Sequence, residues 1–153
     1  MSPTPPTKIN ANELFQGIGK ILSIMSNHDS YRNRPLFEIV TEIYPAIATH
    51  QYAIGHQNHE VPHQVNLEVP IESIEFPTSF FTWASVDDEL HAEIKSKLNP
   101  NNIPASKYTS GDNIWITHCI GSKKEIELLQ IFVQKKKNLP VDTKFNIKSP
   151  SKT

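Results

Sequence analysis

The hydrophobic period of the chain first changes near Gln51, from helical to alternating, and that change points to a fold in which helices cover a sheet. Before it, Leu14, Phe15, Ile18, Ile21, Leu22 and Met25 recur at helical spacing, which predicts a first helix from Asn12 to Ser26. A second helix is expected from Pro35, whose fixed φ suits an opening turn. It carries Leu36, Phe37, Val40, Ile43 and Ile47, with a kink or stop at Pro45. After the change, Val65, Leu67 and Val69 alternate with polar residues, and Phe80-Phe81-Thr82-Trp83 forms a compact apolar run. These predict antiparallel, meandering strands. Ser85 is the expected cap of a third helix with Asp87, Asp88 and Glu89 in its first turn and Lys95 and Lys97 in its last, the charge order that the helix dipole favours, and Asn99-Pro100 ends it. Thr109-Ser110-Gly111-Asp112-Asn113 has turn composition and leads into a strand from Ile114 to Ile120. Ser122-Lys123-Lys124-Glu125 then reads as a capping box that opens a last helix carrying Ile126, Leu129, Phe132 and Val133. The order ααβββαβα predicts an α/β (α+β) domain with helices packed on a mixed, mainly antiparallel sheet.

A chain of 153 residues with 37% hydrophobic and 20% charged residues can bury one core. The domain is expected over residues 10–139, between flexible tails at 1–9 and 140–153 that are rich in Pro, Ser, Thr and Lys. A formal net charge of −1 argues against general affinity for nucleic acid or anionic membrane. Cys119 is the single cysteine, so an intrachain disulfide is excluded, which suits a reducing cytoplasm. The chain shows no apolar run of membrane-span length and its amino terminus lacks the pattern of a signal peptide, so a cytoplasmic location is expected.

Several features invite chemistry without completing it. Gly17-Ile18-Gly19-Lys20 echoes the end of a phosphate loop, but Leu14 and Ile21 stand where that loop needs a glycine and a hydroxyl residue. His56, His59 and His63 could suggest a metal. Gly55 and Pro62 prevent one helix from presenting all three, and no cysteine or carboxylate completes a pattern, so no metal is expected. Cys119 and the serines lack a nucleophile-elbow context.

Two stretches carry a resemblance. One is Tyr31-Arg32-Asn33-Arg34-Pro35 with Tyr44-Pro45-Ala46-Ile47 and Gln51-Tyr52; the other is Trp83-Ala84, Glu93-Ile94, then Thr109-Ser110-Gly111-Asp112 with Trp115. In order and largely in spacing they resemble the bacterial toxin-activating lysine acyltransferases that act on RTX-type protoxins. The resemblance spans roughly residues 18–132. It implies a fold similar to the GNAT acetyltransferases, a homodimer, and transfer of a fatty acyl group to internal lysines of a protoxin in the bacterial cytoplasm. The implied donor is acyl-acyl-carrier protein, a phosphopantetheine thioester, with no bound cofactor. The absence of a GNAT pantetheine signature fits that donor better than free coenzyme A.

The family uses an essential histidine and an essential aspartate. The aspartate position is kept as Asp112, while Tyr31 stands where the family histidine precedes Arg-Asn, and Glu42 stands where many members have asparagine. Residues 57–75 look like an insertion between two strands. Amide formation needs an acceptor for the proton of the amine, a role that suits an imidazole; a tyrosine hydroxyl could instead donate to the oxyanion or protonate the leaving thiolate. His28, three residues before Tyr31, is the nearest replacement base. His118 is read as a half-buried core histidine, because six strand residues, about 20 Å, separate it from Asp112. In the related acyltransferase folds the junction at Ser122, Lys123 and Lys124 faces the phosphate of the donor, which makes these three the candidate donor-binding residues. Two functions follow: an active acyltransferase using Asp112, Tyr31 and His28, or a catalytically degraded relative that binds toxin or carrier protein.

Overall fold

The computed structural model describes residues 10–60 and 73–148. Helix α1, Ala11–Met25, starts where Asn10 accepts the Glu13 amide at 2.8 Å. Its apolar stripe then packs against α2, Leu36–Ala48. Pro45 neither stops nor ends α2: the helix runs one turn further, to Ala48. Strand β1, Tyr52–Glu60, and the long β2, Ser73–Val86, form an antiparallel hairpin, and β2 pairs antiparallel with β3, Asn113–Ile120. Helix α3, Asp88–Ser96, lies between β2 and β3, and α4, Lys123–Lys136, follows β3. A short β4, Phe145–Asn146, pairs parallel with β3 and completes the sheet order β1-β2-β3-β4. This is a mostly antiparallel mixed sheet with helices on it, as the hydrophobic pattern predicts.

Three details differ from the sequence reading. Only two strands precede α3 among the described residues, because β2 is a single ladder of 14 residues; Val65, Leu67 and Val69 lie outside the described residues. The ends of the 57–75 segment continue the hairpin, from Gln57 opposite Phe76 to Glu60 opposite Ser73. Asp87, not Ser85, caps α3, accepting the Leu90 amide at 2.8 Å, since Ser85 is still paired with Ile114 in β2. In addition, the chain beyond Leu139, expected as a flexible tail, turns back to the sheet. Phe145 packs edge-on to Phe81 and Trp83, and Lys148 Nζ donates to the carbonyls of Ile94 and Leu98 at 2.9 and 3.2 Å. The apolar side chain of Phe145 and the ladder bonds to β3 hold it there, a pairing that composition cannot reveal.

The sheet separates two apolar layers. On one side Ile21, Met25, Ile43, Ile47 and Phe80 join α1 and α2 to β2. On the other, Val133 of α4 meets Ala53, Phe81, Trp83, Ile114 and Ile116.

Candidate functional site

Tyr31 lies in the connection between α1 and α2, where the Tyr31 amide donates to His28 O at 3.0 Å and the Arg34 amide to Tyr31 O at 2.9 Å. These turns direct the tyrosine inward onto the α1–α2 layer. Its hydroxyl comes within 3.2 Å of Nδ1 of His118 on β3. The other ring nitrogen, Nε2, lies 3.5 Å from Glu42 Oε2 on α2, an electrostatic contact at the outer limit of a hydrogen bond. Arg34 in turn holds Glu42 through two bonds of 3.0 and 2.6 Å, and reaches Glu38 at 3.5 Å. Four polar side chains from three parts of the fold thus form one continuous run, Tyr31, His118, Glu42 and Arg34.

Burial dominates the electrostatics of this run. His118 is 3% exposed, and burial, with a smaller contribution from Arg34, lowers its pKa from 6.5 to about 4 against the opposing pull of Glu42. Burial also pushes the Tyr31 phenol up, helped by Cys119 and Glu42 and opposed by Arg34. At neutral pH the site therefore holds a neutral phenol and a neutral imidazole beside the Arg34–Glu42 pair. Burial raises the Cys119 thiol as well, which keeps it protonated and poorly nucleophilic.

The other candidates from the sequence are distributed differently. His28 is exposed, its ring 6.0 Å from that of Tyr31. Asp112 is exposed at the opposite end of β3 from His118; six residues of strand put it about 20 Å away, so it does not meet Tyr31. The turn around it is held by its neighbours: Ser110 Oγ accepts the Asp87 amide at 3.1 Å, the Gly111 amide donates to Ser85 O at 3.1 Å, and Asn113 Nδ2 donates to Val86 O at 3.0 Å. Gly111 is required there, since a Cβ would collide with the Val86 carbonyl and lie 2.6 Å from Asp87 Cα. Ser122 and Glu125 close their capping box at 3.1 Å in both directions, leaving Lys123 and Lys124 exposed in the first turn of α4. His56 sits in β1, and His63 lies outside the described residues. Among the described residues, no group of three or more His, Cys, Asp or Glu is placed to hold a metal.

Sequence reasoning missed His118 and Glu42 as partners of Tyr31. His118 is buried rather than half-buried, and it is partnered by Tyr31 rather than idle in the core. The available signal was a titratable ring inside the apolar strand Ile114–Ile120, a position that burial makes costly unless it is partnered.

A separate cleft of about 560 Å³ opens at the free edge of β1, between α1 and the end of α4. Trp83, Lys20, Lys136, Lys137 and His50 line it with a single acidic residue, Glu13. Burial, and then Lys136, lowers the pKa of Lys137.

Comparison with known families separates the two ends of the site. Residues 70–141 match the RTX toxin acyltransferase family. The match covers the second of the two stretches that carry the resemblance, from Trp83 to Trp115, and supports, in general terms, an acyltransferase that acts in toxin activation. It contains β3 with Asp112 and His118 and all of α4, while Tyr31, Arg34 and Glu42 come from outside it. No curated protein matches the chain. No helix among the described residues is long and apolar enough to cross a membrane.

Proposed function

We propose that this chain is a protein-lysine acyltransferase that moves a fatty acyl group from acyl-carrier protein to internal lysines of an RTX-type protoxin, as a cytoplasmic homodimer. The observation that carries the reading is the contact between Tyr31 and His118, because it sets an imidazole from the matched segment behind Tyr31, the residue that the sequence resemblance aligns with the family histidine. A partly buried phenol backed by a neutral imidazole can hydrogen-bond a lysine amine at an acyl carbonyl. The positive rim of the cleft, Lys20, Lys136 and Lys137, and the exposed Lys123 and Lys124 supply the charge that an acidic carrier protein and its phosphopantetheine would meet. The exposed Leu128, Ile131 and Phe132 on α4 supply apolar surface for a second copy.

The exposure of Asp112, far from Tyr31, favours the second reading, a degraded relative that binds a toxin or carrier without acylating it. Mass spectrometry of a candidate protoxin coexpressed with this protein decides between them. Fatty acylation of lysine supports transfer, whereas complex formation with unmodified lysines establishes the binding module.

A further inference from the structure

Resting on that reading, we infer that Tyr31 serves as a hydrogen-bond acceptor for the attacking amine, and that His118, held in its Nε2–H tautomer by Glu42, is the positioning residue that makes it so. A neutral imidazole carries one N–H, and the partner of each nitrogen selects which one bears it. Nε2 of His118 faces Glu42, whose carboxylate is acceptor-only and is fixed in direction by its two bonds from Arg34. A lone pair aimed at that carboxylate would be repelled, so the proton belongs on Nε2 even at 3.5 Å.

Nδ1 is then a lone pair, and the 3.2 Å contact runs from the Tyr31 O–H to the ring. The hydroxyl has a single proton, and it is committed to the ring; what Oη has left for another partner is a lone pair. Tyr31 thereby receives an N–H of the amine, rather than donating to an oxyanion as the sequence suggested. The arrangement holds across the ordinary pH range, because burial keeps His118 neutral and the phenol protonated. The charged and titratable groups around it are Glu42 and Arg34, Cys119 beside Tyr31, Tyr108, which senses Glu42, and the exposed ring of His28.

The test uses the whole chain labelled with ¹⁵N-histidine and ¹³Cζ-tyrosine. Wild type should show His118 as the Nε2–H tautomer, and n-butylamine should shift the Tyr31 ¹³Cζ resonance. Glu42→Gln can present an amide N–H to Nε2, so it should move the tautomer toward Nδ1–H, suppress the butylamine shift and lower kcat for acylation at least tenfold. Tyr31→Phe, which has no acceptor, should lose a similar factor. An Nδ1–H tautomer in wild type, or full activity in a Glu42→Gln protein whose tautomer has switched, overturns the inference. If wild type acylates no protoxin yet shows the Nε2–H tautomer and the butylamine shift, the acyltransferase reading fails while the acceptor geometry stands.

Discussion

The hydroxyl of Tyr31 lies 3.2 Å from Nδ1 of His118, joining the connection between the first two helices to the C-terminal half of β3 across 87 positions of sequence. The contact ties the region outside the family match to the region inside it. Its energetic signature is carried by the histidine, which is folded into a place where its charged form is disfavoured.

Stability should therefore fall as the pH drops from about 6.5 to about 4. The pKa of His118 is depressed in the folded state to about 4, so across that window the unfolded chain binds a proton that the folded chain does not. Acidification favours the unfolded state, and the loss from this group is complete below about 4. Urea unfolding measured from pH 7 to pH 4 should show a decline of up to a few kcal/mol. His118→Gln should flatten the part of that decline that this ring contributes. An unchanged slope in the variant would show that other groups account for the acid sensitivity.

The Arg34–Glu42 pair should contribute measurably, in contrast to ion pairs on the open surface. Its side chains are 29% and 22% exposed and its geometry is bidentate, whereas the Arg32–Asp29 pair is 58% and 95% exposed. A double-mutant cycle with Arg34→Ala and Glu42→Ala is expected to give a coupling of about 1 kcal/mol, and the corresponding cycle for Arg32 and Asp29 no measurable coupling.

Gly111→Ala should destabilise the protein by roughly 1–3 kcal/mol, because the new methyl group enters the space of the Val86 carbonyl and the Asp87 backbone. The midpoint of denaturant unfolding measures this. Asp112→Asn, at an exposed side chain, should leave that midpoint nearly unchanged.

Phe145→Ala should cost roughly 1–3 kcal/mol. The ring lies 5.8 Å from Phe81 and 6.4 Å from Trp83, both in edge-on geometry, so its removal opens the side of the core that β4 closes. Thermal unfolding is the measurement, and a variant as stable as wild type would mean that β4 adds little to the core.

The donor can be located by charge reversal at two places. Lys136→Glu with Lys137→Glu alters the cleft, and Lys123→Glu with Lys124→Glu alters the start of α4. Whichever pair binds acyl-carrier protein should, when reversed, weaken that binding and reduce its salt dependence in a titration across ionic strength.

The sequence alone determined what local chemistry controls. Apolar spacing located α1 and α2, the capping box of Ser122 and Glu125 located the start of α4, and the turn at Thr109-Ser110-Gly111-Asp112-Asn113 marked the entry to β3. The family resemblance was legible for a related reason, since its motifs are short and contiguous. Distance along the chain hid the rest. The return of Phe145 to β3 depends on a ladder between residues about thirty positions apart, and the placing of His118 depends on which side chains α2 brings over the sheet. A histidine in an apolar strand has the same sequence whether it is idle or partnered. Only packing α2 over the sheet gives its two nitrogens a carboxylate on one side and a phenol on the other, and that packing is a property of the whole core.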